Sequence, residues 1–492
     1  MLTYNREGTN APPDRRIYGA VPSANDRYLN TKYSPDANLS DSFFVVALCT
    51  ILSESTWGLF SPTLWLFVES LSGNLETAVT IYASGRVISC IILGWALDRY
   101  DYLYVLKLAC ICSIFGAVLY AMATSSSCLY LAQFALGLGG GKLAVCRAHI
   151  AESTNQDERT VRLANLTAVR YGSIIVLPFL GSLLAAYGTH QNQSMDFLKF
   201  VQLRVDEFNV PALALMLGST LCLGLISMLS DGRNERNSEN LVHVDEQERS
   251  SSFNDVSHIA VGKKSLEMTQ INLEMSHLLT DSAYKLYLQT APVFEADRQQ
   301  RALGSVIVAC ALNALFYGTF VSDEAVIVSV AFMHLHWTFL RVCSMLAVCG
   351  LVGVACLLCM GYWRMERADD RIMLAGIGFM FISNLLLWNA NSLTGNYLYV
   401  AVVSLFGLGY PLAQLAITAK VATACNQRMG LTMGLFSAFE SAARVLFPLI
   451  LSGSLLGNHT QGQDDAWIRI IPTLLALTLI AGIAEVVFMA KR

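Results

Sequence analysis

The sequence predicts an all-α membrane protein with twelve transmembrane helices in two pseudo-symmetric six-helix halves. The chain of 492 residues is 54% hydrophobic and only 14% charged, whereas soluble domains carry about 25% charged residues. Apolar runs of about 20 residues, the length that crosses a bilayer, recur along most of the chain. The small net charge of -4 gives no reason to expect nucleic acid as a partner.

The apolar runs form two groups. The first group predicts helices at 43–68, 76–97, 103–123, 128–150, 162–187 and 210–230, and the second predicts helices at 303–330, 338–362, 372–390, 396–420, 429–457 and 467–490. The polar segment 1–40 lacks the apolar stretch of a signal peptide and is predicted to be a disordered cytosolic tail. Residues 231–302 are predicted to be a polar cytosolic linker between an N-terminal half, 41–230, and a C-terminal half, 303–492.

The distribution of basic residues predicts the orientation. Lys and Arg concentrate in the loops on the side of the two termini and the central linker, while the opposite side keeps few, chiefly Lys199 and Arg204. Since cytosolic loops are enriched in Lys and Arg, both termini and the linker are predicted to be cytosolic. Glycosylation sequons at Asn192 and Asn458 fall in loops on the opposite side, where glycosylation takes place.

An internal repeat supports the two halves. The motif Gly-Leu-Gly and the intramembrane Pro and Glu recur at one offset of 270 residues. The matched positions are Gly137 and Gly407, Pro178 and Pro448, and Glu54 and Glu324. Each half is therefore predicted to be a copy of the other, related by an axis along the membrane normal.

Two acidic residues lie near the middle of the first helix of each half. A charge at that depth is costly and needs a reason. Glu54 and Glu324 either line a central cavity and titrate, carrying a proton or repelling anions, or hold the helices in register through buried hydrogen bonds.

A second group of charges is expected to join the halves. Glu440 has two candidate partners, Arg86 at similar depth in the other half and Arg444 one turn along its own helix, and the sequence does not choose between them. Arg170 matches Glu440 in the repeat, so equivalent positions carry opposite charge.

Positive charge also enters the fourth and fifth helices. Lys142 and Arg170 are predicted to face a substrate anion, because a basic cluster attracts anions. Arg147, nearer the inner surface, is predicted to reach lipid phosphates or to act in gating.

The cysteines do not indicate a metal or cofactor. Most of the thirteen lie within apolar runs, where small packing residues are the expectation, and no CxxC accompanies a His cluster. No nucleophile, base and orienting group stand out together, so an enzyme is not expected.

Several stretches resemble a known family. Residues 94–99, GWALDR, resemble the loop signature of the major facilitator superfamily. Residues 137–147, GLGGGKLAVCR, together with 407–411 and 441–448, resemble the family of major facilitator superfamily domain-containing protein 8, a lysosomal membrane protein. Gln133 stands where that family has Arg, and Lys142 stands where it has Asn.

This resemblance implies a transporter of the endolysosomal or vacuolar membrane with an anion-permeable, chloride-related activity. It implies that the loop charges Asp98 and Arg99 act in gating or between the halves, as expected also of Arg86, Arg147, Glu440 and Arg444. In the predicted linker, Glu274, Leu278 and Leu279 have the acidic dileucine form that lysosomal sorting adaptors bind.

The sequence thus predicts a carrier that moves a small anionic solute or chloride, with protons as a further partner, through a lipid membrane by alternating access. Two alternatives stay open, a channel-like chloride conductance and a non-transporting receptor or scaffold.

Overall fold

A computed structural model describes residues 39–154, 156–191, 194–198, 201–204, 206–251, 304, 306–324, 326–328, 330–331, 335–362, 369–388, 395–424, 428–456, 476 and 480. Several predictions lie outside these residues. They are the tail before residue 39, most of the linker, the sequons at Asn192 and Asn458, the sorting motif at Glu274, Leu278 and Leu279, and almost all of the twelfth helix.

The N-terminal half is built of eight helices and one short hairpin. They are α1 Leu39–Gly58, α2 Leu64–Ser70, α3 Leu75–Leu97, α4 Tyr102–Ala121, α5 Ser126–Gly139, α6 Lys142–Ser153, α7 Gln156–Gln191 and α8 Asn209–Ser251, with strands β1 Ser194–Leu198 and β2 Val201–Arg204 before α8. The strands pair antiparallel, with Ser194 opposite Arg204.

The C-terminal half follows with α9 Val306–Val328, α10 Phe339–Tyr362, α11 Asp369–Trp388, α12 Gly395–Val402, α13 Tyr410–Ala424 and α14 Met429–Leu456. A π-helical segment, Val403–Gly409, joins α12 to α13. Eight helical stretches of the described chain are long and apolar enough to cross a membrane, and Phe43–Gly58 and Ser344–Met360 are shorter apolar helices. The predicted all-α membrane fold is confirmed, with a small hairpin as its one described β element.

Polar residues mark where several helices begin. The side chain of Asn74 accepts a hydrogen bond from the amide of Thr77 at the start of α3. Asp101 accepts from the amide of Leu103 at α4, and Ser125 accepts from that of Cys128 at α5. These side chains satisfy amides that have no partner within the first turn of a helix.

Two predicted helices are broken. The run 43–68 forms α1 and α2, separated by a turn at 59–63 that contains Pro62, which cannot donate a backbone hydrogen bond. The run 128–150 forms α5 and α6, which are separated at Gly140 and Gly141. In the second half, the π segment ends at Gly409, which corresponds to Gly139 just before the break, so a helix irregularity lies in or directly after the repeated Gly-Leu-Gly in both copies.

The helix that precedes the predicted linker is longer than the apolar run predicts. Helix α8 continues past the predicted end at 230 and reaches Ser251, so the first part of the predicted linker is helical.

Glycines allow the helices to approach closely. A Cβ on Gly85 would meet the carbonyl oxygen of Phe134, and one on Gly137 would meet that of Tyr82, so α3 and α5 touch backbone to backbone. In the second half, a Cβ on Gly353 would lie 2.8 Å from the carbonyl oxygen of Gly407, which brings α10 against the π segment in the same manner.

Candidate functional site

Glu54 lies at the centre of the N-terminal half and binds two arginines. Its carboxylate is 2% exposed and accepts hydrogen bonds from Arg86 Nη2 at 2.9 Å and Arg170 Nε at 3.2 Å. These contacts tie α1, α3 and α7 together. A buried carboxylate held by two guanidinium groups is stable as the anion, since each charge is paired and hydrogen-bonded.

Glu440, on α14, binds two arginines of the other half. Arg147 Nη1 donates to its Oε2 at 3.0 Å, and Arg170 Nη2 donates to its Oε1. Arg147 also donates to the Ser437 hydroxyl at 3.1 Å. All of these side chains are buried, so Arg147 reaches across to α14 and does not extend toward lipid phosphates.

Neither partner predicted for Glu440 forms the bond. Arg86 is engaged by Glu54 within its own half, and Arg444 Nη2 donates to the hydroxyl of Tyr317. The i,i+4 spacing of Glu440 and Arg444 therefore does not produce a pair, because two buried arginines from the opposite half already occupy the carboxylate.

The bonds form one continuous chain, which we call the central network: Arg86, Glu54, Arg170, Glu440 and Arg147. Arg170 bonds both carboxylates and so connects the two halves. Arg170 and Glu440 are also equivalent in the repeat, and equivalent residues that touch must lie close to the axis relating the copies.

Aromatic side chains of both halves border the network. The hydroxyl of Tyr410 accepts a hydrogen bond from Arg170 Nη1 at 3.4 Å, and the ring of Tyr410 stacks on Phe320 with centroids 4.2 Å apart. The Arg444 guanidinium carbon lies 5.6 Å from the ring centre of Trp57 and 5.4 Å from that of Tyr317. Such rings stabilise buried cations.

A small cavity borders the network. It is lined by Tyr82, Arg86, Tyr317, Glu440 and Arg444, together with Ala83 and Ser441, and its water-accessible volume is about 10 Å³, which holds roughly one water molecule. Nη1 of Arg444 is buried and makes no hydrogen bond within the described part of the chain. Arg444 thus lines the cavity and has one guanidinium nitrogen without a hydrogen-bond partner in the described part of the chain.

One side of the interface is closed by hydrogen bonds between side chains of the N-terminal half and backbone groups of the C-terminal half. The carboxylate of Asp98 accepts hydrogen bonds from the amides of Gly430 at 2.8 Å and Leu431 at 3.1 Å, at the start of α14. Arg159 Nη1 donates to the carbonyl oxygen of Ala422 at 3.0 Å. Asp98 thus caps a helix of the other half.

Arg99, predicted with Asp98, lies elsewhere. Its side chain is exposed and stacks on Trp95 of the preceding helix α3, 3.9 Å from the ring centre. The two neighbouring charges of the loop thus have different contacts, one across the interface and one along α3.

Two predicted ion-pathway residues lie outside the central network. Lys142 is fully buried, and its Nζ donates to the Ser113 hydroxyl on α4 at 2.6 Å. It is therefore directed into the N-terminal half and not at the arginines of the interface. Glu324 is half-buried and lies within electrostatic range of Arg444, but it forms no hydrogen bond or salt bridge in the described chain.

Sequence reasoning missed the tyrosines, Gln414 and the buried pair Asp323 and Asn384. Gln414 Nε2 lies 3.5 Å from Glu440 Oε2, and Asn384 Nδ2 donates to Asp323 Oδ2 at 3.1 Å. The intramembrane position of Asp323 was a usable signal. The tyrosines and Gln414 have no counterpart in the repeat, so the sequence contains no comparable signal for them.

Comparisons with known proteins agree on the fold. The sequence profile described as the Major Facilitator Superfamily matches residues 46–448. A tetracycline resistance protein, class H, from Pasteurella multocida is 27% identical over 158 residues, which are 31% of this chain and 40% of that protein. The match thus spans about two-fifths of the length of that relative.

Solved structures extend this similarity over most of the chain. The human organic anion transporter MFSD10 (TETRAN) superposes with a TM-score of 0.61 at 13% identity, covering 91% of this chain and 100% of that one. The proton:xylose symporter XylE, bound to 6-bromo-6-deoxy-D-glucose, gives 0.60 at 14% identity, with 92% and 95% covered. An outward-facing bacterial homologue of the iron transporter ferroportin gives 0.58 at 12% identity, with 91% and 99% covered.

Proposed function

Since the chain belongs to the major facilitator superfamily, whose members move small solutes across membranes, we propose that it is a secondary transporter for a small anionic solute. The observation that carries the proposal is the charge of the interface. Three arginines of the central network, with Arg444 beside it, face two paired carboxylates, and one Arg444 nitrogen has no described partner. The four arginines therefore exceed the two carboxylates in charge, and an ionised Glu324, near Arg444, would reduce this positive excess by one without removing it.

The proposed anion site is the cavity between Arg86 and Arg444. Each guanidinium nitrogen of Arg170 is engaged, by Glu54, Tyr410 and Glu440, whereas Arg444 donates to Tyr317 alone among the described residues. Once the halves open, an anion there would accept a hydrogen bond from the Arg444 guanidinium, whose Nη1 has no described partner, and be attracted by Arg86. Hydrogen bonds to a charged group contribute about 1.5–3 kcal/mol each, enough to select an anion over a neutral solute.

The size of the cavity supports alternating access. With about 10 Å³ of free volume, it admits no solute larger than about one water molecule. The two halves must move apart to load it, and the contacts of Asp98 and Arg159 with the C-terminal half must break for release on their side. Arg170 and Glu440, close to the axis, separate least in such a movement.

The remaining features of the proposal come from the sequence. We place the protein in the endolysosomal or vacuolar membrane, with cytosolic termini and a cytosolic linker that binds a sorting adaptor. The side closed by Asp98 is then the cytosolic side, and Asp98, Arg99 and Arg147 belong to its gate. Protons are a further coupling partner in this proposal, with Glu324 as the carboxyl group outside the paired network.

Transport by purified protein in liposomes tests the proposal. Uptake of radiolabelled chloride, phosphate and pyruvate is measured with and without the same anion inside the vesicles. A carrier is accelerated by internal anion, whereas a channel is not. Arg444→Gln and Arg86→Gln should each lower uptake about 10–150-fold, the equivalent of about 1.5–3 kcal/mol.

Arg341→Gln is the matched control, because Arg341 is exposed and stacks on Trp337 at 4.2 Å, outside the network. Uptake of none of the three anions above that of empty vesicles, or equal uptake by Arg444→Gln and wild type, would contradict the proposal. Uptake without acceleration by internal anion would favour the channel.

A further inference from the structure

Three buried cysteines from distant parts of the sequence meet inside the N-terminal half. Cys49 on α1, Cys110 on α4 and Cys222 on α8 place their sulfur atoms within 4.8 Å of one another. The Sγ atoms of Cys49 and Cys222 are 3.6 Å apart. All three residues are completely buried, and they lie in the interior of one half, away from the central network.

The spacing of these sulfurs matches that of a metal–thiolate site. A metal–sulfur distance of about 2.3 Å in a trigonal site places the sulfur atoms about 4.0 Å apart. The observed separations, from 3.6 Å to at most 4.8 Å, bracket that value. We propose that Cys49, Cys110 and Cys222 bind one thiophilic metal ion, Cu(I).

A buried cation beside the cysteines supports the site. The ammonium of Lys142 donates to Ser113, which lies one turn along α4 from Cys110. No carboxylate lies within salt-bridge distance of Lys142 in the described part of the chain. An isolated ammonium group in a protein interior is costly, and metal-bound thiolates would supply the negative charge that Lys142 otherwise lacks.

The number of ligands favours Cu(I). Structural Zn²⁺ is almost always bound by four ligands in a tetrahedron, whereas three cysteines meet here. A fourth cysteine, Cys146, interacts with Cys49. Its thiol lies 3.5 Å from the carbonyl oxygen of Val46, however, and it does not belong to the group of sulfurs that all lie within 4.8 Å of one another. Soft thiolate ligands select Cu(I), which three sulfurs satisfy.

The site would act as a structural tie. It joins the first, third and sixth membrane-spanning helices of the half, which also pack through apolar side chains and through a hydrogen bond from Lys107 Nζ to the Ser230 hydroxyl between α4 and α8. The ion is a resident of this half and not the transported solute, so the inference stands independently of the proposed anion transport.

Copper binding by the purified full chain tests the proposal. The reduced protein in detergent is titrated with Cu(I) in competition with bicinchoninate, without oxygen. Wild type should bind about one ion per chain, and X-ray absorption at the copper edge should show sulfur ligands only. Cys49→Ala, Cys110→Ala and Cys222→Ala should each weaken binding by more than the roughly 10–100-fold loss that follows removal of an outer-shell partner.

Two further variants separate a metal site from simple packing. Lys142→Met should weaken Cu(I) binding about 10–100-fold through loss of the compensating charge. Cys90→Ala removes a cysteine that is equally buried but lies outside the cluster, and it should leave Cu(I) binding unchanged.

Three results would overturn the inference. They are no Cu(I) bound in competition with bicinchoninate, equal binding by wild type and Cys110→Ala, or nitrogen and oxygen ligands in the absorption spectrum of wild type. Retention of Zn²⁺ in preference to Cu(I) would overturn the choice of metal. The spectrum of wild type decides the question even if a cysteine variant fails to fold.

Discussion

Asp98 holds the two halves together through a helix that is not its own, and removing its carboxylate should open that side of the interface. The bonds to the amides of Gly430 and Leu431 are 2.8 and 3.1 Å long. A side-chain cap contributes about 0.5–2 kcal/mol, and a negative charge at a helix N-terminus adds about 0.3–1 kcal/mol. Asp98→Ala should therefore favour the open form by about 1–3 kcal/mol, or about 5–150-fold.

Cys90 provides a native reporter of this opening. It is 1% exposed and packs with Ala144 and Ala438, where α3 meets α6 and α14. The alkylation rate of each cysteine by a small maleimide, followed by mass spectrometry, should rise about 5–150-fold at Cys90 in Asp98→Ala. Asp98→Asn keeps one acceptor oxygen without the charge and should give a smaller increase.

Cys128, which lies on α5 outside the interface, is the internal control. An unchanged rate at Cys90 in Asp98→Ala would refute the assignment of Asp98 as an interdomain cap. A parallel rise at every buried cysteine would also refute it, because that result reports general unfolding.

Three further predictions follow from buried contacts. Glu440→Gln should lower the free energy of unfolding in detergent by about 3–5 kcal/mol, since it leaves buried arginines unpaired. The double variant with Arg147→Met should lose less stability than the sum of the two single variants. Additive losses would contradict the pairing. Gly94→Val should prevent the two halves from closing and raise the rate of Cys90 alkylation, because a Cβ at residue 94 lies 2.5 Å from a carbonyl oxygen of α14. Gly224→Ala should change neither, because a Cβ there has no atom within 4 Å. Equal behaviour of the two variants would contradict the close approach of α3 and α14. Asp323→Asn should change the melting temperature little, because one oxygen of this buried carboxyl has no described donor, and a large loss of stability would show that its charge is needed.

The fold is predictable from the sequence because each helix that crosses a bilayer must be long enough to span it and apolar along that length. Helices occur at eleven of the twelve predicted positions within the described chain. The breaks at Pro62 and at Gly140 and Gly141 were not predicted as breaks. Whether such a residue kinks or interrupts a helix depends on the packing of its neighbours, which an apolar run does not specify.

The sequence predicts which charged residues form the site but not which of them pair with each other. Glu54, Arg86, Arg170 and Glu440 were all identified because intramembrane charges are costly. The sequence does not give their partners, since depth along a helix gives no rotation about its axis. It offers Arg86 and Arg444 for Glu440, whereas Arg86 contacts Glu54 and Arg444 contacts Tyr317. Likewise, the sequence predicts that Lys142 faces a substrate anion but does not indicate its hydrogen bond to Ser113.

The bond between Arg170 and Glu440 bears on how the chain could have evolved. Two identical halves would place the same residue opposite itself on their common axis, arginine against arginine or glutamate against glutamate. Buried like charges repel, so an oppositely charged pair at equivalent positions requires copies that have already become different. The same bond disfavours association of two N-terminal or two C-terminal halves. The two halves are consequently not interchangeable, and the contact between Arg170 and Glu440 favours pairing of one N-terminal with one C-terminal half.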